Sequence, residues 1–519
     1  MNTQRRIFWI LFWGGILFRC AYILSGVTDL APDETYYWQW SRRPDWSYYS
    51  KGPMIAYLIW LGTHCFGHTP FGVRFPTIVL SGLTLWVAFR LYENLFPKNE
   101  DGIAWLAVFY HTIPLFLVGS IVATIDPPFC AAWIAALYAL HRAVRQDWRW
   151  GWPLLALSLG LGILSKYTML LFIPTILLYI AGSPENRRWL KRPEGHLALI
   201  GGLLFLLPPL LWNAGHQWVS FQHTASIGKF DQPTHWIDNL INFPLLLMTQ
   251  SAVISPILFL LILYALWQQA KATRGSRRND SAFLILSAVL PLAFFYICIS
   301  FKRSIIPNWL AAIYPAAVLA AAEVWSRRLR ENKGKRLVLS GVCLGAAICL
   351  FLLFSDVIHW AGLPSSERWD PAARLKGWKE LAELAETASG GLPNQTPYFY
   401  FGTRYQIASE LAFYLKNQPM TYCASYLPLT NQYDIWGGSK QRLDWNAVFA
   451  DQARTTTDLW VPAHVEKAFE RIEPLDPVPI RRYGKILGWN RIWRCYGFRG
   501  WPLNTELTSP SKDANNPGA

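Results

Sequence analysis

The sequence predicts an all-α polytopic membrane protein of about eleven transmembrane helices, followed by a small C-terminal α/β domain. Three observations lead to this fold class. Hydrophobic residues make up 52% of the 519 residues and charged residues only 16%, whereas soluble domains carry roughly 25% charged residues. The 28 Trp, 23 Tyr and 29 Phe suit the aromatic belts at the two membrane surfaces. Apolar runs long enough to cross a bilayer recur up to Phe354.

The first span is predicted at Ile7–Leu24, directly after Arg5 and Arg6. It resembles a signal peptide, but Arg19 interrupts the run and no small-residue cleavage site follows, so we expect an uncleaved helix. The run Met54–Phe66 is too short to span and is predicted to lie at the membrane surface. Further spans are predicted at Phe71–Leu95, Gly102–Gly119, Pro127–Ala143, Trp152–Leu164, Tyr167–Ala181, His196–Trp212, Leu245–Gln268, Ala282–Ile299, Ile305–Trp325 and Leu337–Phe354.

Basic residues predict the orientation of these spans, because cytoplasmic loops are enriched in Lys and Arg. Alternate connections collect them, and the intervening connections are poorer in base, so the N-terminus is expected inside and the tail from Asp356 outside. The basic connections hold Arg142, Arg145 and Arg149; Arg187, Arg188, Lys191 and Arg192; Lys271, Arg274, Arg277 and Arg278; and Arg327, Arg328, Arg330, Lys333, Lys335 and Arg336.

The tail differs in composition from the rest of the chain. Polar residues and Pro replace the long apolar runs, Arg374–Thr387 has a helical pattern, and Pro397–Gly402 and Ile480–Tyr496 have the pattern of strands and turns. We therefore expect a membrane domain over 1–355, an α/β domain over 356–502 and a disordered tail over 503–519. Cys423 and Cys495 lie on the side of the membrane that permits disulfides, and the sequence leaves open whether they pair or stay free.

Several function classes are disfavoured. The net charge of +15 comes from basic clusters separated by apolar runs, which is typical of cytoplasmic anchors and not of a nucleic-acid-binding face. The eight Cys form no CxxC pair, and most of them lie in apolar runs, where they act as small hydrophobic residues. The sequence has no Walker A, GxGxxG or HExxH motif, which disfavours nucleotide-driven transport and zinc proteolysis.

The stretch Asp29–Pro53 carries the first candidate site. Two adjacent carboxylates, Asp33 and Glu34, follow the first span, and Lys51 precedes the next apolar run. Charges among this many aromatic side chains belong at a membrane–water boundary. The aromatic residues between them are Tyr36, Tyr37, Trp38, Trp40, Trp46, Tyr48 and Tyr49.

The predicted topology brings a second set of polar residues to the same outer face. A single Lys at the end of a span is usually a snorkelling anchor, so each residue alone says little. Together, however, Lys and Arg side chains could bind an anionic lipid head group, and a nearby carboxylate could act as general base on an acceptor hydroxyl. These residues alone therefore leave an enzyme acting on lipid phosphates and a transporter both open. The set is Asp126, Lys166, Asn213, His216, Trp218, Lys302, Arg303 and Asn308.

A series of motifs in order gives a resemblance to a known family. PDETYYWQWSRRPDWSYYSKGP, GVRFP, ATIDPP, LSKYT, LLWNAGHQWVSFQ, PNW and ELAFYL followed by QYDIW resemble the family 39 glycosyltransferases. This family includes relatives of protein O-mannosyltransferases and of the enzyme that adds aminoarabinose to lipid A. The resemblance is strongest over Asp29–Gln222 and continues, more weakly, to Trp436. It implies the GT-C fold and inverting transfer of a sugar from a polyprenyl-phosphate donor.

The resemblance also implies roles for single residues. Asp33 matches the acidic position at the catalytic centre, with Glu34 beside it. Lys51 and Arg74 match positions that handle the lipid phosphate or hold the loop, and Asp126 and Lys166 match polar positions of the cavity. We therefore predict three catalytic acids, Asp33, Glu34 and Asp126. The predicted donor-phosphate-binding residues are Lys51, Arg74, Lys166, Lys302 and Arg303, and the predicted substrate-cavity residues are Tyr36, Tyr49, Asn213, His216, Trp218 and Asn308. The residue before Lys51 can be acidic in the family and is Ser50 here. No metal ligand is therefore carried over, no cofactor is expected, and a need for a divalent metal stays open.

We therefore expect a sugar transferase of the bacterial inner membrane whose active site faces the periplasm. Its expected partners are a polyprenyl-phosphate sugar donor and a lipid A or envelope-glycan acceptor, with a protein acceptor less favoured. The alternative is a non-enzymatic transporter or flippase of lipid-linked sugars. A transporter should show related halves around a site at the midplane, whereas this sequence has no internal repeat and its polar residues gather at one face.

Overall fold

The computed structural model describes residues 2–228, 236–274, 279–357, 370, 372–424, 430–482 and 485–502. The predicted disordered tail 503–519 lies outside the described residues, as do Arg277 and Arg278. The chain forms two compact units. The first comprises Met1–Val27 and Trp40–Phe354, and the second comprises Thr28–Gln39 and Ser355–Ala519. The second unit thus includes a stretch that the sequence analysis placed in the membrane domain.

The chain up to Leu353 is helical in nearly all its parts. Four short 3-10 helices, Tyr167–Leu171, Arg187–Lys191, Leu204–Leu206 and Pro307–Ile313, adjoin the α-helices. The α-helices are α1 Thr3–Leu24, α2 Pro32–Ser41, α3 Met54–Phe66, α4 Pro70–Leu95, α5 Asp101–Thr112, α6 Pro114–Leu117, α7 Asp126–Gln146, α8 Gly151–Ser165, α9 Phe172–Gly182, α10 Pro193–Leu203, α11 Leu207–Gly215, α12 Val219–Gly228, α13 Trp236–Ile254, α14 Pro256–Ala272, α15 Asp280–Ser300, α16 Tyr314–Arg330 and α17 Lys335–Leu353.

Several of these helices are long and apolar enough to cross a membrane, which confirms the polytopic fold class. Among the described residues six segments meet this condition on their own, and shorter apolar helices at Met54–Phe66, Gly151–Ser165 and Tyr167–Gly182 accompany them. The six segments are Thr3–Leu24, Pro70–Leu95, Pro193–Gly215, Asp280–Ser300, Pro307–Arg330 and Lys335–Leu353.

Two predicted spans are broken in the structure. The predicted span Gly102–Gly119 is divided at Ile113 between α5 and α6. The sequence predicts a single helix over Leu245–Gln268, but the chain bends by 108° between the helices on either side of Ser255. Pro256 causes the break, because its ring disfavours helical backbone in the preceding residue and it has no N–H to continue the helix. Ser255 adopts φ 87° and ψ 134° instead.

Arg19, which interrupts the first span, is buried, and each of its three guanidinium nitrogens donates a hydrogen bond. Its Nε donates to the Ser120 hydroxyl at 2.6 Å, and its Nη atoms donate to the Gly15 carbonyl at 2.9 Å and the Phe116 carbonyl at 3.1 Å. A buried guanidinium inside a membrane helix is tolerated when backbone carbonyls of neighbouring segments accept its protons. The first helix is thereby tied to the segment that follows α5.

The antiparallel hairpin of α7 and α8 places the polar ends of two helices together. The 21 residues of α7 extend over about 30 Å, which matches the hydrocarbon thickness of a bilayer. Asp126 is its first residue, and Arg145 lies in its last turn. Because α8 returns antiparallel and packs against α7, Lys166 at the end of α8 comes back to the level of Asp126.

The second unit contains a mixed β-sheet with the strand order β2-β1-β3-β6-β4, in which β5 also pairs with β6. β1 runs parallel to both β2 and β3, and β6 runs antiparallel to β3, β4 and β5. The strands are β1 Tyr398–Gly402, β2 Thr421–Cys423, β3 Asn446–Ala453, β4 Phe469–Pro474, β5 Val478–Arg482 and β6 Lys485–Phe498.

Alternating side chains of the sheet build two separate cores, as the two-residue period of a strand requires. On one face Val448 and Ile492 pack with apolar residues of two helices, α18 Trp378–Ser389 and α19 Tyr405–Tyr414. On the other face Phe401 packs with an aromatic cluster that includes Phe449 and Trp493. Two short helices complete the unit, α20 Gln432–Trp436 and α21 Ala463–Glu466.

These elements confirm the predicted α/β character of the tail. The predicted helix Arg374–Thr387 corresponds to α18, and the predicted strand segments correspond to β1, β5 and β6. Cys423 and Cys495, whose pairing the sequence left open, are both buried free thiols. They lie on β2 and β6, which are separated in the sheet by β1 and β3.

Candidate functional site

The first candidate carboxylate, Asp33, is exposed in the first turn of α2. A carboxylate is favoured at this end of a helix because the unpaired N–H groups carry partial positive charge. One of its oxygens, Oδ1, accepts a hydrogen bond of 3.2 Å from the hydroxyl of Tyr405, the first residue of α19. Asp33 and Tyr405 both belong to the second unit, which also contains the start of α2. An exposed carboxylate is chemically able to act as a general base.

The segment before and around Asp33 is held by long-range hydrogen bonds within the second unit. The Asp29 amide donates to the Leu375 carbonyl at 2.9 Å, and the Leu30 amide donates to the Tyr414 hydroxyl at 2.7 Å. Thr35 donates to the Ser409 hydroxyl at 3.0 Å. Asp33 therefore sits on a backbone that α19 and its neighbours hold in place.

Glu34 and Tyr36 have structural surroundings, unlike Asp33. Glu34 is fully buried, and its Oε2 accepts a hydrogen bond of 2.8 Å from the Ala31 amide at the start of the helix. Tyr36 is 4% exposed; its hydroxyl accepts from the Gln432 amide, and its ring lies 4.4 Å from the ring of Tyr405. Among the three acidic residues predicted as catalytic, Asp33 alone is exposed.

A second group of candidate residues lies in the membrane unit, on the loop between α2 and α3. This loop is held by contacts with α2, α11 and α12. The Tyr48 ring stacks on Trp40 with centroids 4.5 Å apart, and the Trp212 indole donates to Asp45 Oδ2 at 2.8 Å. Ser220 donates to the Tyr48 carbonyl at 2.6 Å. The loop that carries Tyr49 and Lys51 is therefore a rigid surface and not a loose connection.

Lys51 lies beside the end of α8 because Gly52 packs directly against that helix. A Cβ added to Gly52 would lie 2.1 Å from the Leu164 carbonyl oxygen, so only glycine allows this approach. Lys51 is half-buried. The ring of Tyr49 lies 4.8 Å from His223. Burial, with a smaller contribution from the Lys51 ammonium, lowers the pKa of His223 to about 4, so this imidazole is neutral at pH 7.

Asp126, Lys166 and Asn308 form one polar cluster at the end of the α7–α8 hairpin. Lys166 Nζ lies 3.1 Å from Asp126 Oδ1, and the side chains of both are 12% exposed. The Asn308 amide donates to the other oxygen, Oδ2. Lys166 Nζ also lies 5.4 Å from the centre of the Phe129 ring. The structure thus brings these three predicted residues together, with Asp126 holding Lys166 in place.

The turn after α15 adds further positive charge. The Arg303 guanidinium lies 5.1 Å above the ring of Trp309, the residue that follows Asn308, and this ring lies 5.5 Å from that of Tyr296. Lys302 is exposed. A guanidinium stacked on an aromatic face keeps its edge available for a phosphate, which is a common use of arginine.

The remaining predicted residues occupy structural positions or the surface. Arg74 is 1% exposed inside α4. Asn213 is fully buried; its amide donates to the Pro209 carbonyl at 2.8 Å, and its Oδ1 accepts from the Ser220 amide at 3.1 Å. His216 stacks on Trp212 at 4.0 Å, and Trp218 is 47% exposed.

Metal ligation has little support in the part of the chain that the structure describes. No group of three or more His, Cys, Asp or Glu there has the arrangement to hold a metal ion. The residue before Lys51 is Ser50, and a serine hydroxyl is a poor substitute for a carboxylate ligand.

Tyr405 is the residue that sequence reasoning missed. It lies upstream of the ELAFYL run that supports the family resemblance, but nothing local distinguishes it from the other 22 tyrosines, since the chain holds 23. Its proximity to Asp33 depends on a contact across 372 residues of sequence.

Comparison with known proteins gives relatives of one kind. Residues 50–212 match the family described as dolichyl-phosphate-mannose-protein mannosyltransferase. The chain is 26% identical over 384 residues to the lipid A galacturonosyltransferase RgtD of Rhizobium johnstonii, an alignment that covers 72% of this chain and 76% of that protein. It is 28% identical over 340 residues to the undecaprenyl phosphate-alpha-4-amino-4-deoxy-L-arabinose arabinosyl transferase of Pseudomonas aeruginosa, covering 61% of this chain and 59% of that protein.

The fold also matches solved structures. The crystal structure of ArnT from Cupriavidus metallidurans bound to undecaprenyl phosphate superposes with a TM-score of 0.59 at 16% identity, covering 93% of this chain and 97% of ArnT. The cryo-EM structure of the mycobacterial arabinofuranosyltransferase AftD gives a TM-score of 0.50 at 13% identity, covering 96% of this chain and 40% of AftD. These matches confirm the predicted fold class and the resemblance to family 39 glycosyltransferases. The relatives named here are sugar transferases, and they give no support to the flippase alternative.

Proposed function

We propose that this multi-span membrane protein is an inverting glycosyltransferase of the bacterial inner membrane. It moves a sugar from a polyprenyl-phosphate donor to a periplasmic lipid or glycan, with lipid A as the first candidate acceptor. The relatives support this choice, since one of them is named for galacturonosyl transfer to lipid A and others for an undecaprenyl phosphate donor. The observation that carries the proposal is the exposed carboxylate of Asp33, held at one oxygen by Tyr405.

The reaction is a single displacement at the anomeric carbon of the donor sugar. The acceptor oxygen forms the new bond from the face opposite the phosphate, while the bond from carbon to phosphate oxygen breaks and its electron pair stays on the phosphate. The acceptor hydroxyl gives its proton to Asp33, which acts as general base. One displacement inverts the anomeric configuration, and the products are the glycosylated acceptor and polyprenyl phosphate.

The basic residues of the membrane unit serve the leaving phosphate in this proposal. Negative charge on the phosphate oxygen grows as the sugar bond breaks, so cations fixed beside it stabilise the transition state more than the bound donor. Lys51, Lys166 and Arg303 are assigned to this task, with Lys302 at the exposed rim. Asp126 orients Lys166 through their 3.1 Å ion pair.

The buried predicted residues receive supporting roles. Arg74 and Asn213 lie inside the helical packing, which favours holding the outer loops over touching the donor. Glu34 stabilises the start of α2 through the Ala31 amide. Tyr49, His216 and Trp218 remain the candidates for lining the substrate cavity.

Reporter fusions test the proposed orientation. Fusions after Ala181 and after Gln268 are expected to read cytoplasmic, and fusions after Trp218 and after Phe354 periplasmic, because the basic connections follow the first two positions. A periplasmic signal after Gln268 would break the alternation and would place part of the proposed site on the wrong side.

Mass spectrometry tests the activity itself. Lipid A and envelope glycans are compared between cells with and without the chain, and a gain of one sugar mass on a defined acceptor is expected. Purified protein supplied with undecaprenyl-phosphate sugar and that acceptor should reproduce the gain and release undecaprenyl phosphate. Identical lipid A and glycan masses in the two strains would contradict the proposal.

A further inference from the structure

The position of Tyr405 is fixed by the sheet of the second unit. It begins α19 directly after β1, at the point where the chain leaves the strand to cross over to β2. The preceding residue, Arg404, anchors this turn by donating to Asp451 Oδ1 and to the Gln452 carbonyl, both at 2.8 Å. The backbone of Tyr405 is therefore tied to β1 on one side and to β3 on the other.

The ring of Tyr405 is fixed as well. It packs at 4.4 Å from the ring of Tyr36, which in turn lies 6.0 Å from Tyr433 with the two rings nearly parallel at 16°. Tyr36 is held at its far end by the Gln432 amide. With backbone and ring both held, the hydroxyl of Tyr405 lies 3.2 Å from Asp33 Oδ1 and donates to it.

We propose that Tyr405 is a positioning residue for the general base, through which the C-terminal α/β unit takes a direct part in sugar transfer. Its hydroxyl donates to Oδ1 of Asp33 and so helps to fix the orientation of the carboxylate. This inference rests on the proposed function for its catalytic meaning, and on the 3.2 Å hydrogen bond for its geometry.

The chemistry of the pair fits this role. A hydroxyl that donates to a carboxylate favours its ionised form, which is the form that accepts a proton. Burial and the neighbouring carboxylate raise the pKa of Tyr405 above its ordinary value, so the phenol keeps its proton and remains a donor at neutral pH. Removing the hydroxyl takes away one donor that favours the ionised carboxylate.

Tyr414 offers a matched control at the other end of α19. Its hydroxyl also bonds the segment around Asp33, but as the acceptor of a 2.7 Å hydrogen bond from the backbone amide of Leu30. Tyr405→Phe and Tyr414→Phe thus each remove one tyrosine hydroxyl from α19. The first removes a bond to the base, and the second removes a bond to its supporting backbone.

The kinetic test compares pH profiles of the two full-length variants in detergent or nanodiscs, with undecaprenyl-phosphate sugar as donor. Tyr405→Phe is expected to lower kcat about ten-fold at neutral pH, since it removes part of what a well-placed base contributes. It should also move the acid limb of kcat to higher pH by about 0.5–1 unit, with donor KM little changed. Tyr414→Phe should leave the acid limb where the wild type has it. A Tyr405→Phe profile that matches that of Tyr414→Phe would overturn the proposal.

A spectroscopic test does not depend on enzymatic activity. 3-Fluorotyrosine placed at position 405 of the full-length protein should show a ¹⁹F shift that follows the protonation of Asp33 at acid pH, and Asp33→Asn should abolish this shift. If the fluorine signal titrates while the wild type transfers no sugar, the proposed function fails and the hydrogen bond stands. A fluorine signal that is the same with Asp33 and with Asn at that position would refute the contact itself.

Discussion

Replacing Asp33 with Asn is expected to lower the rate of sugar transfer to a hydroxyl acceptor by about 10²–10⁴-fold while the protein still folds, as loss of a general base does. The amide keeps the shape of the side chain and cannot take a proton. Asp33 is exposed, and the Tyr405 hydroxyl can still donate to the amide oxygen of the Asn side chain. Initial rates with purified protein and saturating donor measure the effect.

Glu34→Gln is the matched control for this variant. The Gln side chain keeps an oxygen for the Ala31 amide, so the helix start is preserved and activity should stay within a few-fold of wild type. An acceptor that is itself a phosphate is already ionised and needs no base, so the Asp33→Asn loss should then be much smaller. Near-wild-type turnover of Asp33→Asn with a hydroxyl acceptor would remove Asp33 from the mechanism.

Replacing Lys51 with Met is expected to lower kcat strongly and donor affinity less. The methionine keeps the apolar stem, so the change removes the charge that would meet the developing negative charge of the phosphate. Loss of one such contact typically costs about 10²–10³-fold in kcat. Lys166 is better tested with the double variant Lys166→Met and Asp126→Asn. Lys166→Met alone would leave a buried carboxylate without its cation and destabilise the fold.

Lys271→Met provides the control, because Lys271 is a lysine that is not assigned to the donor phosphate. Its ammonium lies 3.4 Å from the centre of the Trp267 ring in the last turn of α14, which is typical of an interfacial anchor. This variant should change yield or insertion and keep its specific activity. If Lys51→Met and the Lys166 double variant both retained full specific activity, the assignment of these lysines to the phosphate would be lost.

Topology made part of the candidate site predictable. Counting spans from the basic connections places the start of α7 and the end of α8 at the same membrane face. Asp126 and Lys166 are therefore expected at the same depth in the membrane. Because each helical residue adds a fixed rise, the number of residues between two positions on a helix gives their difference in depth in the membrane. Their 3.1 Å contact, and the amide of Asn308 on the second oxygen, depend on how the helices rotate and pack, which hydropathy does not describe.

The different roles of Asp33 and Glu34 lay beyond sequence reasoning for a physical reason. Two adjacent acids at a helix start look alike in sequence, yet only the second reaches back to the Ala31 amide and becomes buried. The break at Ser255 was missed because the mean hydropathy stays high on both sides of it, although Pro256 is a local signal for a helix break. The contacts that hold Asp29–Trp38 come from residues more than 340 positions away, and no local pattern reports them.

The membership of Thr28–Gln39 in the second unit sets an order of assembly during synthesis. Asp33 leaves the ribosome 372 residues before Tyr405, and at typical elongation speeds the ribosome needs roughly 20–70 s to cover that distance. For all that time the stretch has neither its hydroxyl donors nor the helix α19 to fold against. In the proposed mechanism Asp33 therefore gains its hydrogen bond from Tyr405 only after the membrane helices have been made.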